Sequence, residues 1–461
     1  MSALTDPTKR RWLGWGSLAV VFLLVNVHRL STAVLSEELV DAFAISASQL
    51  GTLHASFFFI YAVVQIPTGV VADRYGARYV GAAGAVVLSA GAVAFTLSDS
   101  YLTAFLSRAV IGLGSGVIFI ATLRFCANWF RVDEFATMTG VTTGIAGLGA
   151  ILATVPLAVA IEQIGWRPTV RALAVVGLAA AIAVFALVRR SPSDAGLDPI
   201  ENVPKQRTAS LRETGAHLRT LLGDLDQWLL SVVFFSAMGT ILTVIGLWGV
   251  PYLVVVYGLD VTTASYFTLA GAVGMLIGAP AMGRVSDRIG RRHGPLIAGL
   301  GLFTLVLAVV PALGDPPLAA VAGVFFLVGF SLGFVMLALP IIKERYPAEA
   351  SGVATATVNG AGFVGGAVLP TMMGVVLDGY RTGDVVSGTV VYTEAGYRIA
   401  FSLTTAAVAA AFCCAVWLSV RQRRRVDTSG DGESSGEKSS DGESSDGESS
   451  GGMNSTSESG K

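Results

Sequence analysis

Two arginines lie inside apolar stretches of this 461-residue chain, where a charged side chain is costly and usually functional. Arg29 lies roughly 25 Å along a helix that would start near Trp12, and Arg108 lies about 10 Å along one that would start near Tyr101. Because a guanidinium binds carboxylate or phosphate through paired hydrogen bonds, the two arginines predict a site for a small anionic solute. The alternatives are that Arg29 extends outward to the membrane surface and that Arg108 serves helix packing.

Asn26 and His28 lie within one turn of Arg29. An imidazole in water titrates near neutrality, so His28 could carry a coupling proton. The alternative is that His28 forms a hydrogen bond to a neighbouring helix. The expected partners are therefore a small anion and, where an ion is coupled to it, a proton or a sodium ion.

A stripe of polar and aromatic residues runs along the second apolar segment. His54, Phe58, Tyr61 and Gln65 are spaced at i, i+4, i+7 and i+11, which places them on one helix face. Inside a helical bundle such a face is typical of a cavity lining, and core packing is the alternative. In the second half of the chain the candidates for the same cavity are Trp248, Tyr252 and Asn359.

The chain shows none of the residue clusters that enzymes use. It contains no GxxxxGK[ST] loop, so a built-in ATPase is not expected. It has neither a nucleophile–base pair nor metal-ligand spacing around its three cysteines. We therefore expect no enzyme activity, no cofactor, no metal site and no nucleic-acid partner.

The composition predicts a protein that crosses the lipid bilayer many times. Hydrophobic residues make up 53% of the chain and charged residues only 14%, with a mean hydropathy of +0.66. Soluble domains carry roughly 25% charged residues, so this chain could not cover a water-facing surface. Apolar runs of spanning length between Trp12 and Val420 number about twelve. The predicted fold class is an all-α polytopic membrane protein.

Polar segments divide the twelve predicted spans into two sets of six. The predicted domains are an N-terminal six-helix bundle (1–190), a linker (191–226), a C-terminal six-helix bundle (227–425) and a disordered acidic tail (426–461). Lysine and arginine concentrate on one set of connections, which is the set that includes the linker and both termini. Since such residues favour the cytoplasmic side, we expect a cell-membrane protein with both termini in the cytoplasm.

One motif occurs at equivalent places in the two halves. Each position of the second copy lies 214 residues after its partner in the first. The residues of the two copies are Gly69, Asp73, Arg74, Gly76 and Arg78, and Gly283, Asp287, Arg288, Gly290, Arg291 and Arg292. Positive-inside anchoring would explain the arginines but not the repeated Gly–Asp spacing, so the pattern indicates duplication and a conformational role.

With this motif, GxxxDRxGxR after spans two and eight, the chain resembles the major facilitator superfamily over residues 12–420. The resemblance implies two six-helix bundles around a central cavity that opens alternately to each side. It also implies that the aspartates and arginines of the motif form a latch that holds the bundles together in the outward-facing state. Ala77 stands where the family usually has a basic residue, which predicts a weaker first latch.

Further residues are similar to the organic-anion branches of that superfamily, the anion:cation symporters and organophosphate transporters. They are His28-Arg29, Tyr61…Gln65-Ile66-Pro67…Gly69, Trp129-Phe130, Ser191-Pro192…Gly196-Leu197 and Gly246…Leu253. This resemblance implies a secondary transporter of a carboxylate, sugar acid or phosphate ester. Acidic residues common in the symporters, before the first-span arginine and in span four, are replaced here by His28 and by a stretch without an acid near Ser115.

Two other functions stay open. One is multidrug or metabolite efflux, although span five lacks the Gly-Pro pair of the drug antiporters. The other is a sensor without transport activity, built on the same scaffold. A nitrate carrier is disfavoured because spans two and eight lack a central arginine.

Overall fold

The computed structural model describes residues 6–198, 200, 219–386 and 389–436. Within these residues, twelve helical segments are long and apolar enough to cross a membrane. The predicted all-α fold with twelve spanning segments is therefore confirmed. The contacts discussed below all lie within the described residues up to Val416, which belong to one compact unit.

The N-half, residues 6–190, holds the first six spans. Helix α3 supplies spans two and three, α4 and α5 together form span four, and short helices follow spans one and five. The helices are α1 (Pro7–Leu30), α2 (Ser36–Phe43), α3 (Ala47–Thr96), α4 (Tyr101–Gly116), α5 (Ile118–Trp129), α6 (Val132–Leu152), α7 (Val155–Ile164) and α8 (Trp166–Leu187).

The C-half, residues 225–416, holds the remaining spans up to the interior of the twelfth. Span seven is interrupted by a π-helical turn at Val244–Trp248, and span ten consists of three short helices. The elements are α9 (Leu225–Thr243), α10 (Gly249–Tyr257), α11 (Val261–Ile289), α12 (His293–Leu313), α13 (Leu318–Phe330), α14 (Leu332–Val335), α15 (Ala338–Arg345), α16 (Ala348–Asp378), β1 (Arg381–Val386), β2 (Thr389–Tyr392) and α17 (Glu394–Gly436).

A β-hairpin joins spans eleven and twelve, which the sequence did not lead us to expect. Strands β1 and β2 pair antiparallel, with Val386 opposite Thr389, and the register shifts between Arg381 and Val385. Because successive spans alternate in direction, this hairpin marks one end of the bundle, here named the hairpin end. The opposite end, where spans six and seven meet the linker, is named the linker end.

The repeated motif reverses the chain direction at the linker end in both halves. Gly76 breaks α3 with φ 79° and ψ 163°, and Gly290 ends α11 with φ 66° and ψ 17°. Side chains with a Cβ rarely adopt such positive φ values, so glycine suits both positions. The two glycines occupy the same place in the two copies of the motif, which explains in backbone terms why the spacing is repeated.

Two helices extend across predicted domain boundaries. Helix α17 runs to Gly436, so residues 426–436, predicted to begin the disordered tail, are helical. Extending an existing helix costs less than nucleating one, which explains this continuation beyond the membrane-spanning part. Helix α9 begins at Leu225, within the predicted linker 191–226. Residues 199, 201–218 and 437–461 of the predicted linker and tail lie outside the described residues.

Candidate functional site

Arg29 lies near the C-terminal end of α1 and packs against aromatic rings from both halves. Its guanidinium carbon is 5.0 Å from the centroid of the Tyr61 ring on α3 and 5.1 Å from that of Phe363 on α16. The two rings are themselves 4.5 Å apart. Arg29, Tyr61 and Phe363 are named here the aromatic clamp. The sequence predicted Arg29 and Tyr61 for the site but not Phe363.

The charge of Arg29 is not balanced by an acid in the described part of the chain. No acidic side chain there forms an ion pair with Arg29, and its Nε has no hydrogen-bond partner. Yet Arg29 is only 9% exposed. Stacking on aromatic rings uses the faces of the guanidinium, so the N–H groups in its plane stay available to an anion. The clamp therefore holds Arg29 as a buried cation whose in-plane N–H groups can bind a carboxylate.

Arg108 is bound to the first helix. Its two terminal nitrogens donate to the backbone oxygen of His28 at 3.1 Å and to the hydroxyl of Thr32 at 2.7 Å. These bonds satisfy groups at the C-terminal end of α1, where a cation is favoured by the helix dipole. The structure thus places Arg108 beside the same helix end as Arg29, with its terminal donors engaged in holding that end.

His28 and Asn26 are both buried on α1. The Nε2 atom of His28 has no hydrogen-bond partner among the described residues. The amide nitrogen of Asn26 donates to the backbone oxygen of Phe22 at 2.8 Å. Gly149 on α6 packs against the Asn26 side chain. Asn26 therefore faces span five rather than the aromatic rings of the clamp.

Three residues of the predicted stripe on span two, His54, Phe58 and Tyr61, contact the other half. Exposure along the stripe rises from 0% at His54 to 2% at Tyr61 and 7% at Gln65. Span eleven shows the same trend, since Asn359, one turn from Phe363 toward the linker end, is partly exposed while Phe363 is 5% exposed. We infer a cavity that opens toward the linker end and ends at the aromatic clamp.

On the other side of the clamp, the two halves are tightly packed. The His54 ring lies 4.8 Å from that of Phe58, and a methyl group placed on Gly246 would be 3.5 Å from His54 Cε1 and 3.2 Å from Leu30 Cδ2. Gly246 belongs to the π-helical turn of span seven. Such turns are frequent at functional sites.

Trp248 and Tyr252 lie farther toward the hairpin end. The indole nitrogen of Trp248 donates to the backbone oxygen of Pro370 at 2.9 Å. The Tyr252 hydroxyl donates to the backbone oxygen of Gly314 at 3.4 Å, and its ring packs against Tyr397. Their described hydrogen bonds and ring contacts are with elements of the C-half, and none of these contacts joins them to Arg29.

Asp378 connects the two halves at the hairpin end. Its two carboxylate oxygens accept hydrogen bonds from the backbone N–H groups of Ala47 and Ser48, each at 3.0 Å. These N–H groups form the first turn of α3, where a negative charge is favoured. The Thr262 hydroxyl also donates to Glu162 at 3.0 Å between the halves. We name the contact of Asp378 with Ala47 and Ser48 the hairpin-end gate.

At the linker end, the aspartates of the repeated motif pair within their own halves. Asp73 accepts from Arg124 of span four at 3.1 Å, and Asp287 lies 3.9 Å from Arg292. Arg292 also binds Glu344 at 2.7 Å. The side chain of Arg124 is mostly buried against Asp73, because the end of span four packs beside the motif.

The other residues of the motif have local contacts or open surroundings. Arg78 donates through Nε to the backbone oxygen of Phe185 at 2.8 Å, and Arg74 stacks on Tyr75 at 5.5 Å. Arg288 and Arg291 are exposed, and a Cβ on Gly69 or Gly283 would have no described atom within 4 Å.

A charge cluster also stabilises the linker end of the C-half. Arg345 binds Asp224 at 3.1 Å and the fully buried Asp226 at 2.7 Å, and the Tyr346 hydroxyl donates to Asp224 at 2.6 Å. Burial alone would raise the pKa of Asp224, but the hydrogen bonds from Tyr346 and Arg345 outweigh it and lower the net pKa. Burial and the bond to Asp224 raise the pKa of Tyr346 to about 12.

Among the described residues, no group of three or more His, Cys, Asp or Glu side chains is arranged to hold a metal ion.

Twelve spans, a buried cation held between aromatic rings of the two halves, and hydrogen bonds that join the halves at one end are features of a membrane transport protein. The chain matches the model of the Major Facilitator Superfamily over residues 16–370 and belongs to that family. It is therefore a multi-pass membrane transporter and not an enzyme, which confirms both predictions.

Relatives and one solved structure agree with this assignment. The chain is 26% identical over 389 residues to a probable sulfoacetate transporter of Cupriavidus necator, covering 82% of this chain and 89% of the relative. It is 25% identical over 351 residues to the hexuronate transporter of Bacillus subtilis, covering 73% and 81%. Its fold is similar to that of a bacterial homologue of the lysosomal transporter Spinster, with a TM-score of 0.69, 16% identity and coverage of 88% and 97%.

Proposed function

We propose that this protein is a secondary transporter of a small organic anion that bears a carboxylate, such as a sugar acid, or a phosphate ester. The observation that carries the proposal is the aromatic clamp. Arg29 is buried and held between two rings, and no acid of the described residues neutralises it. A buried cation without a partner is costly, so binding an anion there is strongly favoured.

The named substrates of the two relatives support this chemistry. Sulfoacetate and hexuronate are both small organic acids, and each carries a carboxylate. A single arginine that binds the acid group would leave the rest of the solute to the cavity wall. In that wall, Gln65 and Asn359 supply polar groups on the two opposing helices and fit the hydroxyl groups of a sugar acid.

The movement we propose is alternating access. In the state seen here, the hairpin-end gate is closed, and side chains on spans two and eleven become more exposed toward the linker end. Opening the opposite side requires the contacts of Asp378 and Glu162 to break while the linker ends of the halves approach. We assign to the residues of the repeated motif the role of a latch in that second state, with Asp73 and Asp287 exchanging their present partners.

We place the linker end in the cytoplasm of a cell membrane, since arginines and lysines concentrate there. Asp378, Glu162 and Asp260 lie toward the hairpin end. We also place both termini on the cytoplasmic side, because an even number of spans supports this arrangement. A proton or a sodium ion would drive accumulation of the anion against its gradient.

The test is counterflow in proteoliposomes that contain the full chain. Vesicles preloaded with glucuronate should take up labelled glucuronate, and vesicles preloaded with the neutral sugar methyl glucoside should not. Labelled ethidium, a lipophilic cation, tests drug efflux instead. Exchange of ethidium without exchange of glucuronate, sulfoacetate or glycerol phosphate would overturn the proposal. Binding of an acid in a thermal-shift assay without any flux would favour the sensor function.

A further inference from the structure

His54 is a titratable group that anion binding at Arg29 does not explain. Its side chain is fully buried, and neither ring nitrogen has a hydrogen-bond partner among the described residues. A polar group left unsatisfied in the interior destabilises the protein, so its presence calls for a functional reason. The two opposite halves of the chain meet at this imidazole.

The contact of His54 lies between spans two and seven. The imidazole edge rests on Gly246, in the π-helical turn of the C-half, and Leu30 of α1 packs on the same glycine. The glycine leaves room for the ring but offers no side chain that could accept a proton from it. Opening the hairpin end separates these two spans, so water can reach His54 in that state and not in the present one.

The charged groups around His54 oppose a second positive charge in the closed state. The guanidinium carbon of Arg108 on α4 lies 5.6 Å from the centroid of the Phe57 ring, and Phe57 packs against Phe58, which contacts His54. Arg29 lies beyond a single layer of rings, since Phe58 and Phe363 are 6.4 Å apart and Phe363 contacts Arg29. Tyr61 follows His54 on the same helix face, and His28 precedes by two residues Leu30, which packs on the same glycine. None of the ion pairs among the described residues includes His54.

We propose that His54 is the proton-coupling site of this transporter and that it acts on the contact with Gly246. A protonated imidazole prevents that contact from closing unless a bound anion offsets its charge. This inference rests on the proposed function, because it assigns the coupling ion of the same site.

The consequence is a simple coupling rule. In the state open at the hairpin end, His54 takes a proton from the solution on that side. The positive charges of His54 and Arg29 then attract the anion. With the anion bound, the contact of His54 with Gly246 closes, because the negative charge of the anion offsets the positive charge of the imidazolium. After the anion leaves toward the linker end, the imidazolium loses its compensating charge and releases the proton past the clamp to the same side. The empty carrier returns with neutral His54, so proton and anion move together.

The opening of the hairpin end can be measured without any solute. Spin labels at Leu97→Cys and Leu313→Cys, both exposed at the hairpin end and on opposite halves, report its opening by double electron-electron resonance. The background replaces Cys126, Cys413 and Cys414 with alanine. A hydrated imidazole titrates near pH 6.5, so lowering the pH from 8 to 5 should raise the ratio of open to closed molecules about thirtyfold.

Variants separate His54 from the other histidines. His54→Gln should abolish the pH response, and His54→Arg, with its permanent charge, should keep the gate open at both pH values. His293→Gln, at the linker end, should retain the response. A His54→Gln protein that still responds to pH overturns the inference, and so does a response that disappears in His28→Gln instead.

Transport gives the second measurement. In vesicles with a pH gradient, His54→Gln should lose accumulation of glucuronate while it retains counterflow, which needs no net proton movement. Full accumulation by this variant would overturn the inference. If neither wild type nor variant exchanges any acid, the proposed function fails, whereas the resonance experiment still decides the role of His54.

Discussion

The guanidinium of Arg29, on the first span, lies 5.1 Å from the ring centroid of Phe363, on the eleventh. The two residues are far apart in the sequence and belong to opposite halves. Their contact marks the level at which the interior closes, because the stripes on spans two and eleven are more exposed on one side of it than on the other. A cation–π contact is weak enough to break when the halves separate.

Arg29→Gln is expected to weaken binding of glucuronate about tenfold to a hundredfold, since it removes a charge-assisted hydrogen-bond donor pair. Isothermal titration calorimetry of purified protein measures the affinity. Arg284→Gln is the matched control, because Arg284 is exposed at the linker end. An unchanged affinity in Arg29→Gln would remove the basis for an anion site.

Phe363→Ala should weaken the same binding by about two- to thirtyfold, because Arg29 loses one of the two rings that orient it. Phe363→Tyr keeps the ring and should bind like the wild type. Thermal unfolding of both variants shows how much of the effect comes from the cavity that alanine leaves in the core. If Phe363→Ala binds as tightly as Phe363→Tyr, the ring does not orient the arginine.

Asp378→Asn should shift the equilibrium toward the state open at the hairpin end. The amide has one oxygen to offer where the carboxylate accepts two hydrogen bonds, from Ala47 and Ser48. A loss of about 1–2 kcal/mol corresponds to a five- to thirtyfold change in the ratio of the two states. The spin-label pair at Leu97 and Leu313 reports this ratio. Asp99→Asn, at an exposed residue of the same end, should leave it unchanged.

Asp73→Asn should favour the state open at the linker end, since the proposed latch in the other state loses its charge. Partly exposed ion pairs contribute little, so we expect about a two- to fivefold shift. The rate at which Gly140→Cys reacts with a membrane-impermeant maleimide from the linker side measures it; a Cβ on Gly140 would have no described atom within 4 Å. A slower reaction in Asp73→Asn would contradict the latch.

Asp224→Asn should lower the thermal stability of the protein, and the loss should depend on pH. The pKa of Asp224 is lower in the folded protein than its usual value. The stabilisation is therefore present above about pH 4 and fades as the pH falls through the folded pKa. Melting temperatures of wild type and variant should differ at pH 7 and converge below pH 4. A constant difference would show that the charge of Asp224 is not responsible.

Residues that act within one helix are accessible to sequence reasoning. Arg29 stands out because a charge in an apolar run has few explanations, and the face shared by His54, Tyr61 and Gln65 follows from helical spacing alone. The repeated glycines Gly76 and Gly290 are found in the same way, from a pattern that recurs at a fixed distance.

Partners across helices are not accessible in this way. Phe363 is one of many phenylalanines in apolar runs, and only the packing of spans two and eleven brings it to Arg29. Asp378 and Arg124 were missed for the same reason, since their contacts depend on how helix ends meet. A signal for Phe363 did exist, because it follows Asn359 by one helical turn.

The hydrogen bonds of Arg108 to the end of the first helix have a mechanical meaning. They join the segment that carries Arg29 to span four, so Arg29 has to move with the N-half as part of one rigid body. Phe363 swings with the other half. A solute bound to Arg29 would then move together with the N-half. Which side of the membrane that solute is exposed to would depend on the position of Phe363.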